Sequence, residues 1–401
     1  MKILMLVPFL PIDQMSGGQT RWYHLIKHLS KDHKITLMSL IKDDWEKKYI
    51  PQIEKYCEKV MVFKRPKSPW TLRNLFLTLI SFNPLVVIRN LSLEERSAIK
   101  RELANHKYDL IHAETFYVMP HIPKTKIPII LVEPTIEFSV YKHYVDNEVS
   151  KFFKPIYMFD VIKLRFWEKV YWRRATKLFA VSEDDKAVMQ REIPDIKVGV
   201  IPNGVDVNFF NQKKIQKKSP PRILYHGNYK WMQNVEAVNL LIAKIWPKVK
   251  KEIKNVKLWI SGRNVPQEIF EYSNMDSDIE VTEGIEDNRD AYKSASVLVT
   301  PIRGPGGTRL KVLEAMASGL PVVSTTVGVA GLGITEGKHA LVSNNIDEIS
   351  KLVIRILKNK DLAVKISKEG KDFVTKNFDW GNIVAKLNKL YDQTKTLSNN
   401  S

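Results

Sequence analysis

The stretch GPGGTRLKVLEAMASGLPVVST, residues 304–325, decides how the rest of the chain is read. It opens on a glycine-rich loop (Gly304, Gly306, Gly307), and its composition predicts a helix from Arg309 to Ser318. Gly319 and then Pro321 are the expected punctuation after such a helix. The β-branched run Val322 to Thr326 reads as a buried strand. At 100° per residue, Leu310, Leu313 and Ala317 share one apolar stripe, with Gly307 and Glu314 on its edge. A carboxylate there needs a hydrogen-bonding partner. Arg309 and Lys311 are cations in a first helical turn, set against the helix dipole at a cost of about 0.3–1 kcal/mol each. An anion bound at the glycine loop would reverse that sign, because free N–H groups, dipole and both side chains would converge on it. The plain alternative is an ordinary helix with a Lys311–Glu314 pair.

Working outward, strands and helices alternate on both sides of this stretch. Ile3–Val7, Lys34–Leu40, Val60–Phe63, Leu110–Ala113, Ile129–Val132 and Leu178–Val181 read as strands before residue 200. Ile223–His226, Lys257–Ile260, Ile279–Thr282 and Val297–Pro301 follow after it. Such alternation marks parallel, doubly wound sheets, which take ligands beyond the carboxyl ends of their strands. The expected fold class is therefore α/β with two Rossmann-like domains. We expect a first domain at 1–200, a hinge and linker at 201–221, a second domain at 222–378, and a C-terminal helix with polar tail at 379–401. Asn203-Gly204 is a turn pair by its own chemistry, and Ser182 with Asp185 three residues on reads as a helix N-cap and not as a metal cluster.

At 401 residues and 44% hydrophobic content the chain has core enough for two domains. A single cysteine, Cys57, rules out an intrachain disulfide and fits a reducing compartment. The opening MKILMLVPFL reads as a buried strand and not a leader, since a glycine loop and an amphipathic helix follow. The next most apolar run, Leu75 to Phe82, falls far short of the roughly 20 residues a spanning helix needs. A cytoplasmic protein is expected. The net charge of +19 is spread over both halves and favours polyanionic neighbours. Nucleic acid is not among those expected, because no zinc-ligand spacing, aromatic RNA motif or basic heptad array is present. Residues 151–177 carry eight basic and eight aromatic side chains, and Ile156, Phe159, Phe166 and Val170 are helically spaced. This is either a core-packing helix or one lying at an anionic membrane surface.

The LEAMASGLPVV portion resembles the donor-binding signature of retaining glycosyltransferases of the group 1 type (glycosyltransferase family 4). That family has the GT-B fold, two facing Rossmann-like domains. The resemblance places Glu314 on the nucleotide ribose, and Gly306 at a position where the family carries a glutamate contacting the donor sugar. It implies a nucleotide-sugar, UDP- or GDP-linked, as substrate, a saccharide or lipid-linked acceptor, and neither a metal nor another cofactor. It implies catalytic positions at Glu114, Gly306 and Arg309. Donor contacts would come from Gly17 and Gly18 after the first strand, from Gly227, Asn228 and Lys230, and from Gly262 and Arg263. Gly284 and Ile285 resemble the nucleotide-base platform, and Gly307, Thr308, Arg309, Leu310, Lys311 and Glu314 complete the set. Two family positions that grip the diphosphate hold Asn228 and Gln233 here, so Arg309 and Lys311 are expected to meet that charge. His112, Glu133 and Glu137 are expected on the acceptor side, with Glu114 beside them at the mouth of a cleft. An epimerase acting on nucleotide-sugars, or a non-enzymatic polyanion-binding module, are the rival readings.

Overall fold

A computed structural model of the chain describes residues 1–13, 15–68, 70–304 and 308–399, the side chains of 396–399 excepted. Gly306 and Gly307 lie outside the described residues. The chain divides into two compact units: Met1–Asn203 together with the chain from Ile383 on, and Gly204–Asn382.

The first unit is built on a seven-stranded parallel sheet. Its strands are β1 (Lys2–Val7), β2 (Lys34–Ile41), β3 (Lys59–Lys64), β4 (Leu110–Glu114), β5 (Ile129–Glu133), β6 (Lys177–Ala180) and β7 (Val198–Val200). Their order is β3-β2-β1-β4-β5-β6-β7, so the direction of winding reverses between β1 and β4. Both faces are covered by helices, so β4 and β5 are buried at every residue and β1 at all but its first, with no alternation. The helix Gly17–Leu29 follows β1 directly, with Ser16 as its N-cap accepting from the Gln19 N–H. The helix Glu183–Glu192 starts on the expected cap, where the Asp185 N–H donates to Ser182 Oγ at 3.0 Å.

The second unit repeats the plan with six strands: β8 (Arg222–Asn228), β9 (Lys257–Arg263), β10 (Ile279–Glu283), β11 (Val297–Thr300), β12 (Val322–Ser324) and β13 (Leu341–Val342). The order β10-β9-β8-β11-β12-β13 again reverses beside the first strand, between β8 and β11. The GPGGTRLKVLEAMASGLPVVST stretch therefore spans the connection from β11 to β12, next to the switch point. Its helix runs Leu310–Ala317, one residue shorter at each end than expected, with Arg309 at the N-cap. The strand after it stops at Ser324, two residues early, because Thr325 turns its hydroxyl onto the Ile302 carbonyl.

Two short strands escaped the sequence reading, β7 and β13. Neither offers the four or more residues a pattern needs. The segment expected as hinge and linker is partly built into the second unit. Asp206 caps the helix Val207–Gln212, and Val205, Val207 and Phe210 join its core. The C-terminal helix expected at 379–401 runs Trp380–Asn399, and a separate helix, Lys360–Phe378, precedes it. The C-terminal one docks on the first unit's sheet through Tyr391, whose hydroxyl lies 2.5 Å from His112 Nδ1.

The largest difference concerns the aromatic, basic run at 151–177. It forms the helix Lys154–Arg174, but Ile156, Phe159 and Phe166 do not pack into the core. The buried side is Val161, Leu164, Tyr171 and Trp172. The helix is thus apolar on two faces, and only one of them is covered.

Candidate active site

In the second unit the carboxyl ends of β8 and β9 come together through glycine. A Cβ on Gly262, where φ is +146°, would fall 1.7 Å from the Gly227 carbonyl oxygen, so the two backbones touch. Gly284, also at positive φ (+74°), donates its N–H to the Gly262 carbonyl at 2.9 Å, with open space where a side chain would stand. Three strand ends are thereby held close, with Gly262 buried between a half-buried Gly227 and an exposed Gly284. Ile285 follows, half-buried against the core beside Tyr292.

Beneath Gly227 lies Lys311. Its Nζ donates to Asn234 Oδ1 at 2.8 Å and to the Tyr225 hydroxyl at 3.3 Å, and sits 4.4 Å above the Tyr225 ring. A Cβ on Gly227 would come within 2.7 Å of that ammonium. Asn234 in turn donates to the Asn228 carbonyl at 2.7 Å. Burial, and after it the Arg309 charge, push Lys311 down to about 7, with Glu314 opposing them. An ammonium poised at neutrality, next to glycines that leave room for a ligand, is ready to be fixed in its charged form by an arriving anion.

Glu314 finds the partner its position demanded: the Tyr292 hydroxyl donates to its Oε2 at 2.7 Å. Burial, and then the Glu314 charge, hold the Tyr292 phenol well above its ordinary range, so it stays a donor. Tyr292 packs edge-on against His226 at 5.6 Å, and His226 shares a hydrogen bond with Ser261 Oγ at 2.9 Å. Burial, followed by Lys311 and Arg263, pushes His226 down to about 3, which keeps the ring neutral. Arg309 donates to the Gly304 carbonyl at 2.8 Å, holding the described end of the glycine loop. Thr308 is buried, and its hydroxyl has no partner among the described residues. Leu310 is half-buried, with the Leu224, Val312 and Met316 cluster behind it. Lys230 is exposed in the loop after β8, and Arg263, the last residue of β9, is half-exposed. Asn228 Oδ1 accepts from the Lys230 N–H and from Asn264 Nδ2, so its side chain shapes the loop.

The structure thus gathers Gly227, Asn228, Gly262, Gly284, Lys311 and Glu314 at one sheet edge. Sequence reasoning missed Tyr225, Asn234, His226 and Tyr292. The one signal available for them was their place just before a strand-end glycine, as for Tyr225 and His226, or in a helix that follows such a strand, as for Asn234 and Tyr292.

The first unit corrects the acceptor-side expectation. Gly17 is exposed and Gly18 half-exposed at a helix start beyond β1, as expected of a loop open to ligand. Glu114, however, is fully buried and saturated. Arg21 Nε donates to its Oε2 at 3.1 Å, Trp22 Nε1 to the same oxygen at 3.0 Å, and His112 Nε2 lies 3.0 Å from Oε1. Arg21 also donates to the Pro202 carbonyl and to Asn203 Oδ1, each at 2.9 Å. Glu114 does not touch solvent, and His112 is enclosed with it. Nor does Glu114 join Glu133 and Glu137. On adjacent parallel strands Glu114 pairs with Val132, so Glu133 projects from the opposite face of the sheet.

On that opposite face Glu133 accepts from Trp172 Nε1 at 3.1 Å. Glu168 accepts the Glu137 and Phe138 N–H groups at 2.9 Å each, capping the helix Glu137–Glu148. Burial first, and then neighbouring carboxylates, push Glu133 well above the ordinary range, and burial raises Glu137 too. Glu133 and Glu168 are interior carboxyls and Glu137 is half-buried at a helix start, so the three do not gather with Glu114.

The comparisons with known proteins bear on family and fold. The profile of the family described as Glycosyl transferases group 1 matches residues 220–359, and that of Glycosyltransferase Family 4 matches residues 15–209. The chain belongs to the group 1 glycosyltransferases. A protein of Klebsiella pneumoniae described as an uncharacterized 44.6 kDa protein in the cps region is 23% identical over 97% of this chain and 99% of its own length. The UDP-Gal:alpha-D-GlcNAc-diphosphoundecaprenol alpha-1,3-galactosyltransferase of Escherichia coli is 24% identical over 76% of this chain and 80% of its own. Among solved structures, Anabaena HepE in complex with UDP-glucose superposes with a TM-score of 0.66 at 14% identity, covering 98% of this chain and 99% of that one. Such identities establish the fold: two Rossmann-like domains of the GT-B class. The group 1 transferase is thus an enzyme of glycosyl transfer.

Proposed function

We propose that this glycosyltransferase moves a sugar, with retention of configuration, from a UDP- or GDP-linked donor to a saccharide or lipid-linked acceptor in surface polysaccharide or glycolipid synthesis. The observation that carries the donor side is Lys311, held under Gly227 at the switch point by Asn234 and Tyr225, one helical turn from the Tyr292–Glu314 pair. Lys311 and Arg309 would meet the diphosphate, and Glu314 the ribose hydroxyls. Asn228 and Gln233, where the family carries cations, leave that charge to the helix start. Stabilising the departing diphosphate is a large electrostatic term, and Lys311 supplies it where water is thin. No metal or other cofactor enters this reading. The named activity of the Escherichia coli relative, on a lipid diphosphate-linked sugar, supports the acceptor class. The UDP-glucose bound by Anabaena HepE supports the donor class. The same reading sets the enzyme in the cytoplasm, peripherally on an anionic membrane where lipid-linked acceptors reside.

Glu314→Gln is expected to keep the fold, since the amide still accepts from Tyr292. It should weaken binding of UDP or GDP at least tenfold, because a charge-assisted hydrogen bond is worth roughly 1.5–3 kcal/mol. Calorimetric titration of both nucleotides against the wild type and Glu314→Gln measures this. Equal affinities would remove Glu314 from the site. Retention is read separately, from the anomeric proton coupling of the product against that of the donor.

A further inference from the structure

Most large apolar side chains left exposed among the described residues fall in two segments, 70–82 and 144–166. The first holds the helix Leu72–Ile80, where Leu72 is 87% and Leu79 78% exposed, with Phe76 beside them. The second holds the uncovered face of Lys154–Arg174, where Ile156 is 63% exposed and Phe159 and Phe166 stand open with it. These are not frayed ends. Lys163, itself buried, donates its Nζ to the Thr78 carbonyl at 2.7 Å and the Ser81 carbonyl at 3.1 Å, capping the C-terminus of the first helix from the second. Trp167 Nε1 donates to the Phe82 carbonyl at 2.8 Å, and the Phe82 and Phe166 rings meet edge to face at 5.2 Å. Trp70 touches Tyr157 at the other end, with ring centroids 6.2 Å apart. The two helices form one built, apolar surface.

Its charge is one-sided. Residues 70–82 contain no acid, and 151–170 contain only Asp160 and Glu168. Both turn inward: Asp160 accepts from the Leu85 N–H and Glu168 caps the helix Glu137–Glu148. Arg73 and Lys151 are exposed at the rim; the two helices themselves expose no carboxylate, while the exposed acids Asp146 and Glu148 lie in the segment ahead of the second. Among the described residues no helix is long and apolar enough to cross a membrane. A helix pair of this kind lies in the headgroup layer with its apolar face among the acyl chains.

We propose that the face shared by Leu72–Ile80 and Lys154–Arg174 inserts into the surface of an anionic bilayer. This goes beyond the peripheral association proposed above, because it assigns a second helix and makes burial of apolar side chains, and not the diffuse positive field, the main source of affinity. It also reassigns two residues of the basic run. Arg173 pairs with Asp195 at 2.8 Å, and Arg174 donates to the Met119 and Ile122 carbonyls, so both belong to the fold and neither to this face.

The test is co-sedimentation with phosphatidylcholine vesicles, with and without phosphatidylglycerol, at low salt and at about 1 M salt, where the Debye length is about 3 Å. The full chain should partition best onto the anionic vesicles and keep part of that binding at high salt. Two variants are compared, L72S/F76S/L79S and I156S/F159S/I162S, Ile162 being 56% exposed and Phe166 left in its contact with Phe82. Each should lose at least about tenfold in partition at both salt concentrations, from the apolar area no longer inserted. Both should keep the wild-type melting temperature and UDP affinity, since the side chains are exposed; two separate triples guard against one failing to fold. The proposal is overturned if neither triple changes partition, or if high salt abolishes wild-type binding. It is equally overturned if the wild type binds no vesicle but dimerises through residues these triples remove, which would make a second copy the occupant. Vesicles carry neither donor nor acceptor, so failure here is separate from failure of the transferase reading.

Discussion

Lys311→Met should raise the stability of the empty protein and lower its affinity for a nucleoside diphosphate by about 2–5 kcal/mol, the loss typical when one partner of a buried charge pair is truncated. Methionine keeps the stem and its packing while removing an ammonium that burial disfavours. An ordinary lysine titrates near 10.5, and this one is pushed down to about 7. Between those values the unfolded chain binds a proton that the folded, empty protein does not. This group therefore makes stability rise with pH from about 7 to about 10.5, and the charge it must carry below that range opposes folding. Diphosphate binding has the opposite slope. An anion favours the charged lysine, so affinity should be flat below about pH 7 and fall as pH rises beyond it, with uptake of a proton on binding. Calorimetry of UDP binding in buffers of different ionisation enthalpy, above the second phosphate ionisation near pH 6, reads that proton directly. Lys311→Met should abolish the uptake, flatten both pH profiles and leave uridine binding as in the wild type. Equal losses for uridine and UDP would mean that Lys311 only supports Tyr225 and Asn234.

That a lysine should sit there was legible, but its environment was not. The glycine-rich 304–307, a helix beginning with two cations and a β-branched run specify a strand–loop–helix–strand by local chemistry, and the alternation around it specifies parallel sheets. The partners of Glu314 and Lys311 come from other connections of the sheet. Tyr292 precedes Glu314 by a whole strand, and Tyr225 and Asn234 flank the loop after β8. Parallel topology brings them together, and no periodicity within one segment announces it. The three carboxylates of the first unit failed for a related reason. Glu114 and Glu133 both end strands, and strand ends are where a doubly wound sheet binds ligands. The sequence does not show that their register sets them on opposite faces. The Lys154–Arg174 helix left two readings open because both of its faces are apolar. Only burial separates the one that packs from the one that does not.

Arg21 carried the signal that was overlooked: a guanidinium on the inward side of an otherwise amphipathic helix, four residues after Gly17. It is fully buried with Glu114, and its removal should be the most damaging single change in the first unit. Arg21→Ala is expected to cost about 3–5 kcal/mol, because it leaves an uncompensated carboxylate in the interior. Arg21→Met with Glu114→Leu together should cost less than the sum of the separate losses, since no orphan charge remains. The pH dependence follows from the same pair. Burial works against ionisation of Glu114, but the Arg21 charge and the bond with His112 outweigh it, holding the carboxyl below its ordinary value of 4.5. Its contribution to stability is therefore present above about pH 4.5 and is lost as pH falls through the lower folded value. Arg21→Ala should remove that acid-side slope as well as lowering the melting temperature. Glu114→Gln separates positioning from catalysis. A group that only ties β4 to the Gly17–Leu29 helix and to Asn203 should lose activity in step with the folded fraction, and stabilising osmolyte should restore both. A Glu114→Gln enzyme with an unchanged melting temperature and UDP affinity, but with kcat lowered a hundredfold, would return Glu114 to the reacting atoms and require this interior to open during turnover.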